Sequence, residues 1–157
     1  MEHIESTVVG LLKERGLTLA AAESCTGGLL SKRLTDIPGA SSVYPGGVVT
    51  YSEQSKIGLL GVPHELIKEK NAASSEVALL MAENVRIKLN ADIGVSITGI
   101  AGPDSDSSGH RPGTVFVALT TKEASYCEAL QLPGDREQIR RSSASHALEM
   151  IKRILTV

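Results

Sequence analysis

The chain has 157 residues, 41% hydrophobic and 22% charged, which suits one domain with its own core and excludes a disordered segment. A net charge of −2 and an aromatic content of 3%, with no Trp, argue against nucleic-acid binding, because phosphate-neutralising proteins are basic and single-strand binders stack bases on rings. Two cysteines are too few for a disulfide framework and lack zinc-site spacing, and four scattered histidines offer no ligand set, so neither a metal nor a cofactor is expected.

The opening "MEHIESTVVGLLKERG" carries acidic residues and no long apolar run, so it does not read as a signal peptide. Its apolar spacing predicts a helix over 4–15, stopped by Gly16. "LTLAAAE" (17–23) reads as a short buried strand, and 26–36 as a helix. "PGAS" then breaks the chain. "YPGGVVTYS" (44–52) is rich in β-branched residues and reads as a strand, its Gly46-Gly47 marking a bulge or a close backbone approach. Short helices follow at 53–59 and 64–69, and a long amphipathic one at 75–89. "DIGVSIT" (92–98) is a strand that delivers the chain into a polar, glycine-rich loop, "GIAGPDSDSSGHRPG". The segments 114–121 and 125–132 alternate as a hairpin through "KEA", and a helix over 135–155 closes the chain, with Asp135 as its N-cap.

Helices and strands alternate early and a hairpin comes late, which predicts one layered α/β domain over 1–157 with a mixed sheet of about five strands. No apolar run reaches the roughly 18 residues of a membrane span, so a cytoplasmic protein without a membrane partner is expected.

In such folds ligands bind where loops leave the carboxyl ends of parallel strands. The first such stretch is "ESCTGG" (23–28). Ser24 or Thr26 can simply cap the following helix, with Glu23 at its positive end. Alternatively, amides at Thr26, Gly27 and Gly28 cradle an oxyanion while the Ser24 hydroxyl attacks a carbonyl. Cys25 is a rival nucleophile, but its side chain is expected to point away from that of Ser24, and no histidine pairs with it. The second stretch holds Tyr51 and Lys56. A lysine of depressed pKa can act as base to a serine, and a tyrosine can relay a proton; equally, both can be ordinary surface side chains. The third is "TGIAGP" (98–103), where Thr98 and the permissive backbone at Gly99 can meet a ligand. Arg136 and Arg140, one turn apart on the last helix, can clamp an anion or form solvated ion pairs.

Taken together and in order, "AESCTGGLLSKRLTDIPGAS", "GGVVTYSEQSKIGLLGV", "SITGIAGPD", "PGTVFVAL" and "GDREQIRR" resemble the successive signature blocks of the CinA C-terminal domain family. That family includes nicotinamide mononucleotide (NMN) amidohydrolases. The resemblance covers residues 5 to 155 or so. It implies a three-layer α/β/α domain with a mostly parallel sheet, metal-independent hydrolysis of the NMN carboxamide to nicotinate mononucleotide and ammonia, and a homodimer or larger homo-oligomer. By the same resemblance Ser24 is the nucleophile, Lys56 its base and Tyr51 an assisting hydroxyl. Thr98 and Gly99 line the site, and Arg136 or Arg140 holds the substrate. The chain departs from the family pattern at "NAAS" (71–74) and at "SDSSGHRPG" (105–113), where His110 or Arg111 is expected to carry charge beside the nucleotide. A non-catalytic, nucleotide- or partner-binding member of the same family is the alternative reading.

Overall fold

The computed structural model describes residues 2–157 and arranges five strands in the order β2-β1-β3-β4-β5. These are β1 (Leu19–Glu23), β2 (Gly46–Val49), β3 (Ile93–Gly99), β4 (Thr114–Thr120) and β5 (Ser125–Gln131). Parallel pairing joins β2, β1 and β3, and antiparallel pairing joins β3 to β4 and β4 to β5, so only β4 runs against the other strands. The mixed, mostly parallel sheet expected from the sequence is present.

Six helices cover its two faces: α1 (Ile4–Arg15), α2 (Leu29–Thr35), α3 (Glu53–Leu60), α4 (His64–Lys70), α5 (Ser75–Lys88) and α6 (Arg136–Leu155). The side-chain alternation of β1 divides the core between them. Leu19 and Ala21 pack with Val8, Leu12, Leu30, Leu148 and Ile151, beneath α1, α2 and α6. Ala20 and Ala22 pack with Leu60, Ile67, Val77, Met81 and Val85, beneath α3, α4 and α5. The small side chains of "LAAAE" are thus what allows helices to lie close on both faces of this central strand.

The chain keeps to the expected elements, with two informative differences. The strand expected from Tyr44 begins at Gly46, because Tyr44 turns inward and its hydroxyl shares a 2.7 Å hydrogen bond with Ser31 Oγ. A Cβ on Gly47 would press on this hydroxyl and lie 2.6 Å from the Ala21 carbonyl oxygen, so Gly47, the second of the glycine pair, serves a close approach between β2 and β1. The helix expected from residue 26 begins at Leu29, because Gly27 and Gly28 adopt left-handed φ values of 60° and 102° and hold the chain in a turn first.

Candidate active site

The parity of β1 also decides where its last residues point. Glu23 continues the Leu19–Ala21 face toward α2, and Ser24 continues the Ala20–Ala22 face toward α3. Glu23 is fully buried and its carboxylate accepts four hydrogen bonds: from Thr26 Oγ1 (2.7 Å), the amides of Leu30 and Ser31 (2.9 Å each) and Ser31 Oγ (2.6 Å). It therefore caps α2 from seven residues upstream, replacing the Ser24 or Thr26 cap expected from the sequence. Neither hydroxyl bonds a helix amide; that of Thr26 is spent on Glu23.

Ser24 is released from capping and held by its backbone, whose amide donates to the Ile97 carbonyl at 2.9 Å. It thus stands between the ends of β2 and β3. Lys56, on α3, is only 1% exposed and reaches across to it. Lys56 Nζ lies 2.9 Å from Ser24 Oγ and donates to the Thr50 carbonyl at 2.8 Å. Helix α3 is aimed by a capping box at Ser52 and Ser55. Burial lowers the Lys56 pKa to about 8, which makes a neutral amine accessible near physiological pH. With the Thr50 carbonyl occupying one N–H, the lone pair of that amine is available to the Ser24 hydroxyl.

Cys25 falls on the other face, in the core with Leu30, Ile97 and Ile139. It does border the larger cleft described below, contrary to the expectation that it and Ser24 would not share one. Burial, however, pushes its thiol up to about 11, so it is held as the unreactive thiol.

Two clefts meet at Ser24. The larger, of about 440 Å³, is bordered by Ser24, Tyr51, Asp104, Arg136 and the 99–103 backbone. The smaller, of about 160 Å³, is bordered by Ser24, Lys56, Asn71, Thr98, Asp106 and Ser108 among others. Tyr51, 59% exposed, stands at the mouth of both. Its hydroxyl accepts a 2.7 Å bond from Arg136, whose other terminal nitrogen donates to the Gly102 carbonyl at 2.6 Å. The only bond recorded for the Tyr51 hydroxyl among the described residues is this one, so it meets neither Ser24 nor Lys56. Thr98 faces the smaller cleft with its hydroxyl given to the Ala72 carbonyl at 2.9 Å. Gly99 borders both clefts, and a Cβ there would lie 2.5 Å from the Thr114 carbonyl oxygen, so only glycine fits.

Thr26, Gly27, Gly28 and Arg140, which sequence reasoning assigned to the substrate, border neither cleft. Arg140 instead donates to the carbonyls of Cys25 (3.1 Å) and Thr26 (3.0 Å), strapping the Ser24 turn from behind. The Gly27 amide is taken by the Ser24 carbonyl at 3.0 Å, whereas the amides of Cys25 and Thr26 have no backbone acceptor among the described residues. His110 and Arg111 also stay out of the clefts; Asp104 and Asp106 from the same loop enter instead. Asp106 organises the loop, taking bonds from Ser108 and from the His110 amide and side chain, and these donors lower its pKa despite its partial burial. Sequence reasoning missed Glu23 as a long-range cap and Asp106 as a wall residue. The Asp-Ser-Asp-Ser-Ser run offered an Asx-turn signal for the second. No group of three or more His, Cys, Asp or Glu side chains able to hold a metal occurs among the described residues, and no helix there is long and apolar enough to cross a membrane.

Residues 1–155 match the CinA C-terminal domain. A competence-damage inducible protein of Caldanaerobacter subterraneus subsp. tengcongensis is 49% identical over 154 residues, which is 98% of this chain and 37% of that protein. A CinA-like protein of Geotalea daltonii is 47% identical, with the same coverage of 98% and 37%. The chain thus spans little more than a third of the length of these relatives. Among solved structures, a CinA superfamily protein from Klebsiella pneumoniae superposes with a TM-score of 0.95 at 29% identity, covering 98% of this chain and 96% of that one. A competence/damage inducible protein from Agrobacterium tumefaciens gives 0.93 at 33% identity, covering 98% and 94%.

Proposed function

The chain belongs to the CinA C-terminal domain family, and from that premise and the geometry at Ser24 we propose that it is a serine-dependent amidohydrolase acting on the carboxamide of nicotinamide mononucleotide. The observation that carries the reading is the buried 2.9 Å contact between Lys56 Nζ and Ser24 Oγ. A purely structural lysine gains little from such a position, since burial of its charge costs more than two neutral acceptors return.

In the proposed reaction neutral Lys56 takes the Ser24 proton as Oγ attacks the carboxamide carbon. The amide of Cys25 follows Ser24 directly, has no backbone acceptor among the described residues and borders the larger cleft, and it is the donor assigned to the developing oxyanion. Lys56, now charged, gives its proton to the departing nitrogen, and ammonia leaves a Ser24 ester. Water then attacks the ester carbonyl as Lys56 accepts its proton; the C–Oγ bond breaks, Lys56 returns that proton to Ser24 Oγ, and the acid product leaves and ionises to the carboxylate. A volume of about 440 Å³ is suited to a mononucleotide. Asp104 complements the cationic pyridinium ring, and Arg136 is the guanidinium at hand for the phosphate. Tyr51 acts in this scheme by holding Arg136, and no proton transfer is assigned to it.

The test is release of ammonia and nicotinate mononucleotide from NMN. Wild type is expected to turn over, and Ser24→Ala to lose about 10⁴-fold or more in kcat/KM, as when the nucleophile of a catalytic unit is removed. Because the base must be neutral, kcat/KM should rise with pH and level off above about 8, the value set by burial of Lys56. A flat profile between about pH 6.5 and 9 would remove Lys56 from the role of base.

A further inference from the structure

Ser24 borders both clefts, but Lys56 borders only the smaller one. On the amidase reading just given, we propose that the smaller cleft is a leaving-group chamber: it receives ammonia, and at the acyl-enzyme stage it admits small primary amines as acyl acceptors in place of water. The argument is positional. Protonation of the departing nitrogen must come from Lys56, so that nitrogen lies on the Lys56 side of Ser24 when the C–N bond breaks. The nucleotide body then occupies the larger cleft, which is the only one of the two that can hold it.

The walls agree with this division. About 160 Å³ accommodates several water molecules or an amine up to about the size of benzene, and excludes a nucleoside. Thr98 and Ser108 have their hydroxyls engaged by the Ala72 carbonyl and by Asp106, so neither competes for the incoming group. Glu53 and Asp106 also border the chamber and bring negative charge, which repels the phosphorylated product and favours a neutral or cationic amine.

The route by which ammonia leaves is, by microscopic reversibility, a route by which an amine arrives. Its nitrogen attacks the ester carbonyl and a C–N bond forms. One amine proton passes to neutral Lys56, the C–Oγ bond breaks, and Lys56 returns that proton to Ser24 Oγ. The product is an N-substituted carboxamide, formed without any oxidant or further reactant.

The experiment is a partition measurement on the wild-type protein with NMN, near pH 8, in the presence of hydroxylamine, methylamine or 4-phenylbenzylamine at equal free-base concentration. Nicotinate mononucleotide and the N-substituted amide are quantified together. The amide-to-acid ratio should rise with hydroxylamine and methylamine, and be at least about tenfold lower with the two-ring amine, a difference corresponding to about 1.4 kcal/mol in the competing barriers. Ser107→Leu, on an exposed loop position bordering the chamber, should lower the methylamine ratio by a similar factor; Ser108→Leu provides a second test of the same wall. Acid formation with a ratio indifferent to amine size and to both variants would overturn the chamber and leave the amidase reading standing. Absence of both acid and amide from folded protein would instead remove the reading on which the chamber rests.

Discussion

Replacing Lys56 by methionine should abolish the proposed amide hydrolysis, by about 10³- to 10⁴-fold or more, while leaving the fold as stable as before or more so. Both halves follow from the same burial. Lys56 is 1% exposed, and its pKa falls from 10.5 to about 8. The folded pKa lies below the unfolded one, so between them the unfolded chain binds more protons. Folding stability therefore rises as pH climbs from about 8 to 10.5, and below that window the protein carries the full cost of the buried charge. A shift of that size is worth about 3 kcal/mol at neutral pH, each unit being about 1.4 kcal/mol.

Methionine fills similar space without charge. Its own cost is the Thr50 carbonyl left without the Lys56 donor, about 1–3 kcal/mol. The two terms offset. Urea unfolding at pH 7 and pH 9.5 reads the outcome: wild type should gain stability at the higher pH and Lys56→Met should lack that gain. A variant strongly destabilised at pH 7 would mean that Lys56 is a structural residue, and the assignment of the base would fail with it.

The second large effect concerns Glu23. Glu23→Ala should destabilise the protein by about 3–5 kcal/mol, the range for removing one partner from a buried charged network. Four donors lose their acceptor at once: two amides of the first turn of α2 and the hydroxyls of Thr26 and Ser31. Glu23→Gln keeps the shape but turns an NH₂ group toward donors, so it should recover only part of the loss. Because Glu23 precedes Ser24, the proposed nucleophile, displacement of the turn should also lower kcat/KM by about 10²-fold under conditions where the variant remains folded. Denaturant unfolding that shows less than about 1 kcal/mol of change for Glu23→Ala would mean that water replaces the carboxylate, and that the cap does not hold the turn.

The sheet and its flanking helices were legible because their signals are local. Apolar spacing marked α1 and α5, Gly16 marked a helix end, and alternation marked the β4–β5 hairpin. The site was legible only through its wording. Nothing in the spacing of Ser24 and Lys56 reveals a contact between residues 32 apart; it exists because β1 and β2 are adjacent and parallel and α3 follows β2. Strand parity, which set the Cys25 side chain apart from Ser24 in the sequence, would have done the same for Glu23. Parity alone could not have told Arg136 from Arg140. They sit one turn apart on α6, and a small rotation of that helix decides which reaches the cleft and which the carbonyls of Cys25 and Thr26. The loop at 104–112 misled by composition, because its basic residues drew attention while its aspartates did the turning.

The strap from Arg140 and the bridge from Arg136 have a consequence for the protein as it is made. Both arise from α6, which follows every strand in the chain. Ser24, Lys56 and their strands leave the ribosome well before it. During that interval the turn holding Ser24 has its forward cap in Glu23 but no hold from behind, and the rim at Tyr51 and Gly102 is unjoined. A nascent chain therefore carries all the groups of the proposed chemistry before α6 docks, without the alignment that Arg136 and Arg140 give them.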